Sequence, residues 1–216
     1  DGFRYGPDAA REQFGFDEAY PIDELDKMMP SLLENQPKLY ATLGADPAWD
    51  SRLIGWLNEV RSRARTGVQA PKEILDLRSL VHEMRLFKDE SELATMRRAG
   101  QISRDAHVRA MRFTRPGQFE YQVEAELIHE FYRNGSRFPA YTSIVAGGAN
   151  ACVLHYVENN AELRDGDLLL IDAGCELHGY AADITRTFPV NGKFSAAQKD
   201  VYEIVLAAQL AAINAA

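Results

Sequence analysis

Cysteine is scarce: Cys152 and Cys175 are the only two in 216 residues. That count excludes a disulfide framework and fits a reducing cytoplasm. Long apolar runs are missing too, and none approaches the ~18 residues that would span a bilayer. Basic residues are outnumbered, with Lys plus Arg at 24 against Asp plus Glu at 32, for a net charge of −8. An acidic chain repels polyphosphate and anionic lipid, so neither nucleic acid nor a membrane surface is an expected partner. The sequence opens on Asp1 rather than Met and stops at Ala216, inside the strongly helical Val201–Ala216, with no cap or breaker after it. Both ends are therefore expected to be cut. Also missing are a Gly-x-Ser-x-Gly elbow, a phosphate-cradling Gly-Lys-Thr/Ser loop and a Cys-x-x-Cys pair. Their absence removes the usual signatures of serine hydrolases, P-loop enzymes and thiol redox proteins. Gly147-Gly148 could form an anion-binding turn, but it opens no predicted helix.

What is present is an ordinary globular composition, 46% hydrophobic and 26% charged. Helical spacing runs through Ile22–Asn35 and Ala48–Arg65, with a short strand predicted at Lys38–Leu43 between them. This alternation indicates an α/β domain, although about eighty residues are few for a complete one. The stretch Arg65–Lys88 reads as a boundary. A long helix follows, with Asp89 or Ser91 as its cap, Glu90 and Glu92 in its first turn, and Leu93, Met96, Ala99, Ile102, Ala106 and Ala110 on one stripe. Pro116-Gly117 breaks it, and a second helix is predicted over Phe119–Tyr132, ended by Asn134-Gly135. Beyond Pro139 the pattern turns to strands: Tyr141–Val145, Leu168–Cys175 and Tyr180–Val190, with Ala146–Asn150 as a small-residue loop.

Chemistry concentrates in Leu168–Arg186. Asp172 closes a very apolar run and Asp183 sits inside the next predicted strand, where Asp is disfavoured. A hairpin centred on Leu177-His178 would place the two directly opposite, with Cβ atoms about 4.5–5.5 Å apart. Two carboxylates so placed repel and lose hydration, and a hard divalent cation between them would relieve both costs. The spacing alone leaves other readings open. Both could be surface aspartates at a turn, one could pair with Arg186, or a bulge could move one off the shared face.

Several blocks carry a family resemblance. Val81-His82-Glu83-Met84-Arg85-Leu86-Phe87-Lys88, Leu154-His155-Tyr156, Ile171-Asp172-Ala173-Gly174 and Asp183-Ile184-Thr185-Arg186-Thr187-Phe188-Pro189-Val190 together resemble the bacterial aminopeptidase P pattern. That group lies within the pita-bread metallopeptidases, which also include prolidase and methionine aminopeptidase. The resemblance implies an α/β chain in two parts. Residues 1–86 would be the C-terminal portion of a creatinase/aminopeptidase-P-type N-terminal domain, and residues 87–216 the first half of an α+β pita-bread catalytic domain.

The implied activity is that of an Xaa-Pro aminopeptidase, releasing the first residue of peptides whose second residue is proline, with two divalent ions, Mn²⁺ foremost. Asp172 matches the family's first metal Asp, and Asp183 the second, which bridges both ions. The remaining ligands, a His and two Glu, would lie beyond Ala216, so this chain alone is expected to be inactive. His155 matches the active-site histidine and is assigned to catalysis and substrate binding. Arg65 matches an arginine near the active site and is assigned to substrate binding. His82, His107, His129 and His178 are read as packing or surface residues. A cytoplasmic homo-oligomer, a tetramer, is also implied. The alternatives are a prolidase-like dipeptidase and a non-catalytic binding module on the same fold. Such modules usually lose the metal aspartates, and here both are present. The half not present would pack on strands around Leu168–Ile171 and on the helices starting at Asp89 and Phe119, leaving those faces exposed.

Overall fold

The computed structural model describes residues 2–215; Asp1 and Ala216, on which the expectation about the chain ends rests, lie outside the described residues. Two compact units divide the chain, Asp1–Phe87 and Lys88–Ala216.

In the first unit α1 (Gly6–Phe14) precedes the two helices that the spacing indicates, α2 (Leu25–Leu33) and α3 (Pro47–Ser62), with β1 (Lys38–Ala41) between the last two. The sequence reading gave no sign of α1. It also began the second helix at Ile22, where the chain makes a 3-10 turn, Ile22–Glu24, before α2. At the start of α3, Asp46 accepts from the amides of Ala48 and Trp49, and Pro47 takes the position where a missing N–H costs nothing. Leu53, Trp56, Leu57 and Val60 of α3 bury against Leu33, as the 3.6-residue stripe requires. The predicted boundary Arg65–Lys88 is itself structured. It holds β2 (Glu73–Asp76), which pairs in parallel with β1, and α4 (Leu77–Leu86).

The second unit opens on α5 (Glu90–Phe113). Of the two candidate caps, Asp89 is the one used, and it forms a capping box: Asp89 accepts from the Glu92 amide, and Glu92 accepts from the Asp89 amide. After α6 (Glu120–Arg133) come β3 (Phe138–Pro139), β4 (Ile144–Gly147), β5 (Leu168–Ala173), β6 (Cys175–Leu177), β7 (Tyr180–Ala181) and β8 (Ile184–Pro189), then α7 (Ala196–Ala215). The strands form two sheets, in orders β4-β5-β8 and β3-β6-β7. Ile102 of α5 and Val123, Leu127 and Phe131 of α6 pack with Leu169, Ile171 and Ala173 in one core. The apolar faces of α5 and α6 are thus covered within this unit, contrary to the expectation that they stand exposed. An exposed apolar face lies on α7, where Val201, Ile204, Val205 and Ile213 are each more than 60% accessible.

Two strand assignments need correction. Ala146 and Gly147, read as loop, belong to β4, and Gly148–Cys152 forms a 3-10 turn. The stretches Leu168–Cys175 and Tyr180–Val190 are not two continuous strands. The first breaks at Gly174 and the second at Ala182-Asp183, so that one hairpin contributes to both sheets. Among the described residues, no helix is long and apolar enough to cross a membrane.

Candidate metal centre

Side chains alternate along β5, so burying Leu169, Ile171 and Ala173 against the helices turns Leu168, Leu170 and Asp172 to the other face. Asp172 is paired with Ile144 on one side and with Thr185 on the other. Asp183 is therefore not its direct partner. The hairpin turns at His178-Gly179, both with positive φ (50° and 85°), so Leu177 faces Tyr180 and Glu176 faces Ala181. A two-residue turn of this hand matches strand twist, and Gly179 takes its second left-handed position without cost. The assumed centre at Leu177-His178 is off by one residue, which moves every pairing by two.

Asp183 lies between β7 and β8, in neither strand. Two residues before Thr185, it is the diagonal neighbour of Asp172 on the same face. The two carboxylates still meet, through Tyr141. Its hydroxyl lies 2.6 Å from Asp172 Oδ1 and 2.9 Å from Asp183 Oδ1. One phenol proton is thus shared between two carboxylates. Burial, and then the two hydrogen-bonded carboxylates, push the Tyr141 hydroxyl far above its ordinary pKa, so it remains a donor. The alternative partner, Arg186, reaches no carboxylate among the described residues; its Nη1 donates to Thr185 O.

The point where the hairpin passes between sheets is tight. A Cβ on Gly174 would lie 1.7 Å from the Ala182 carbonyl oxygen, a backbone atom that cannot rotate away. Gly174→Ala should therefore displace Ala182 and Asp183 relative to β5. We expect a stability loss of about 3 kcal/mol or more, measured by urea unfolding of the chain. A loss under 1 kcal/mol would show that the crossing is pliable.

Behind this point, α5 holds the ladder. Ser103 Oγ accepts from the Cys175 amide at 3.0 Å. His107 is buried, with Nδ1 2.9 Å from Ser103 O, and burial lowers its pKa. Of the two places allowed for it, packing or surface, it takes the buried one. His82 and His129 are exposed.

His155 stands on the loop that covers the Asp172 face. A cavity of about 270 Å³ is lined there by Ile144, Leu154, His155, Leu170, Asp172 and Thr185. His155 is exposed and has φ of 56°, a left-handed conformation uncommon outside glycine. Arg65 belongs to the first unit, exposed on the 3-10 turn Ala64–Thr66. Its neighbour Arg63 is half-buried and pairs with Glu34 and Glu59.

Two residues here escaped the sequence reading. Tyr141 read only as the start of a strand. Glu120 read as part of a helix, where an acid in the first turn ordinarily serves the helix dipole. Instead its side chain is fully buried and accepts four hydrogen bonds from the loop that carries His155.

Asp172 and Asp183 offer hard oxygen donors that converge on one point, which suits a divalent cation. Among the described residues, no group of three or more His, Cys, Asp or Glu is placed to hold a metal ion. The pair therefore fits part of a site and not a whole one.

Comparison with known proteins bears on both parts of the chain. Residues 94–216 match the family described as metallopeptidase family M24, and residues 1–40 match the aminopeptidase P N-terminal domain. The chain is 50% identical over 205 residues to an Xaa-Pro aminopeptidase of Escherichia coli K12, covering 95% of this chain and 46% of that protein. It is 47% identical to an Xaa-Pro aminopeptidase of Haemophilus influenzae, covering 99% of this chain and 47% of that one. Its fold superposes on Pseudomonas aeruginosa aminopeptidase PepP with a TM-score of 0.96 at 53% identity, covering 99% of this chain and 48% of the other. Against Escherichia coli aminopeptidase P, solved zinc-substituted with product, the TM-score is 0.91 at 50% identity, covering 95% and 47%. The chain thus spans about half the length of the relatives it matches. Its structure is the mixed α/β fold of the aminopeptidase P enzymes, and the family implies divalent metal ions. The chain belongs to metallopeptidase family M24.

Proposed function

We propose that the whole protein is an Xaa-Pro aminopeptidase, hydrolysing the bond before a proline in second position, and that this chain supplies two of its metal ligands. The observation that carries the reading is the convergence of Asp172 and Asp183 on the Tyr141 hydroxyl, in a chain half identical to enzymes of that name. Asp172 and Asp183 would hold two divalent ions, Mn²⁺ by resemblance, together with a His and two Glu that match nothing in this chain. Ions at such a site lower the pKa of an attacking water and polarise the scissile carbonyl.

The chain's own residues prepare that site. Tyr141, which donates to Oδ1 of both carboxylates, would restrain their orientation. His155, at the rim of the cavity beside Asp172, is placed to donate to a substrate carbonyl or to hold a proton near it. Arg65 is assigned to substrate binding on the resemblance alone. A cytoplasmic setting and a homo-tetramer complete the proposal; two free cysteines, one of them buried, are compatible with the former.

The reading is tested by assaying the full-length protein on Xaa-Pro-Xaa tripeptides, Xaa-Pro dipeptides and tripeptides lacking proline. Release of the first residue from the proline tripeptide is the expected result. Cleavage of dipeptides alone would make the protein a prolidase, and no cleavage of any would leave the binding module. A second expectation concerns His155. In the full-length protein, His155→Ala should lower kcat by roughly a hundredfold, within the range of general acid–base catalysis. Metal content measured by atomic emission should stay at the parental level. Loss of metal in step with activity would place His155 among the ligands instead.

A further inference from the structure

We infer that Glu120 is a positioning residue for His155: its buried carboxylate holds the loop that carries the imidazole over Asp172, and it influences the reaction through that loop. The inference rests on the role given to His155 above. Glu120 lies in the first turn of α6 and is 0% exposed. Its Oε1 accepts from the Gly147 amide at 2.8 Å and from Asn150 Nδ2 at 3.0 Å. Its Oε2 accepts from the Tyr156 hydroxyl at 2.7 Å and from the Ala161 amide at 2.9 Å. The four donors come from the beginning, middle and end of one stretch, residues 147–161. Of them, Tyr156 is the residue after His155.

A single carboxylate therefore gathers the stretch from both ends while His155 itself remains exposed. The left-handed φ of His155, uncommon outside glycine, lies within the stretch so held. The tie is charge-assisted, which makes each bond stronger than a neutral one. It also raises the Tyr156 hydroxyl to about 12, through burial first and the Glu120 bond second, so Tyr156 stays a donor.

The donor count makes the idea testable with a near-isosteric change. In Glu120→Gln, one oxygen becomes an NH₂ that cannot accept. If it falls on the Oε1 side, Asn150 can reverse its amide, but the Gly147 N–H is a fixed donor left without a partner. If it falls on the Oε2 side, Tyr156 can turn its hydroxyl, but the Ala161 N–H is left instead. Either orientation releases one end of the loop. Tyr156→Phe is the milder companion, keeping volume and removing only the bond next to His155.

The experiment measures steady-state kinetics of the full-length protein on an Xaa-Pro tripeptide. E120Q and Y156F are each made in the parent and in the H155A background, with metal content and amide hydrogen exchange recorded alongside. We expect E120Q to lower kcat roughly 10- to 100-fold in the parent, the scale of a small misplacement of a catalytic group. In H155A the same change should cost less than about twofold, because residues acting through one another are not additive. Metal content should be unchanged, and exchange should accelerate over residues 148–157 while α5 keeps its protection. Equal losses in both backgrounds, or no loss in either, would overturn the inference. If E120Q fails to fold, Y156F carries the same comparison with a smaller expected effect, about fivefold against none. Parental turnover in H155A would remove the role of His155 and this inference with it. A parent inactive on every proline peptide would refute the enzymatic reading alone, and the exchange result would then decide whether Glu120 holds the loop.

Discussion

Asp172→Asn or Asp183→Asn in the full-length protein will lower kcat/KM on an Xaa-Pro tripeptide by about three orders of magnitude or more, roughly 4 kcal/mol of transition-state stabilisation. Asn keeps the shape of Asp, and its carbonyl oxygen can still accept from Tyr141 as Oδ1 does now. The pairing of Asp172 with Ile144 and Thr185 runs through the backbone and is untouched. What the change removes is one negative charge and one strong oxygen donor from a point where two carboxylates converge. Removing that mutual repulsion should leave folding intact, so the thermal midpoint of the metal-free protein should stay level or rise by a few degrees. Activity and stability are thus expected to move independently. Manganese-dependent turnover within tenfold of the parent in either variant would show that the ligands have been assigned wrongly.

The second large effect concerns the 216-residue chain by itself. It should release no amino acid from Xaa-Pro peptides and should bind Mn²⁺ no tighter than the millimolar range, where affinity at hard-cation sites falls when ligands are few. Two carboxylates leave each ion mostly hydrated, and the described residues place no third His, Cys, Asp or Glu beside them. The isolated chain should also associate. In α7 none of twenty residues is buried, and Val201, Ile204, Val205, Leu206, Leu210 and Ile213 are all exposed. Its apolar side borders a groove shared with Leu168, Thr185 and Thr187. A contiguous face of this kind on a monomer is an association site. Isothermal titration with Mn²⁺, a tripeptide assay and sedimentation test these points together. Micromolar binding with measurable cleavage would mean that a complete site assembles some other way, for instance from ligands shared between chains.

The sequence by itself determined the parts governed by local rules. The start of α5 at Asp89 or Ser91, most of its apolar stripe (Ala99, Ile102, Ala106 and Ala110 are buried, Met96 is exposed), and the buried face of α3 were legible. Each depends on residues three or four apart. The family was legible as well, from the blocks around His155, Asp172 and Asp183. Only the tertiary structure decided the register of the hairpin. The choice between Leu177-His178 and His178-Gly179 as its centre turned on which residues would accept left-handed dihedrals. That choice, with the break at Gly174, makes Asp183 the diagonal rather than the facing neighbour of Asp172. The supporting residues were beyond the sequence for a related reason. Tyr141 meets Asp172 and Asp183 across 31 and 42 positions, and Glu120 meets Gly147 and Ala161 across 27 and 41. Local propensity says nothing of such pairs, because a tyrosine just before a strand, where Tyr141 lies, or a glutamate in a first helical turn is equally content in solvent. Burial by elements that fold over them is what turns these two residues into the frame of the site.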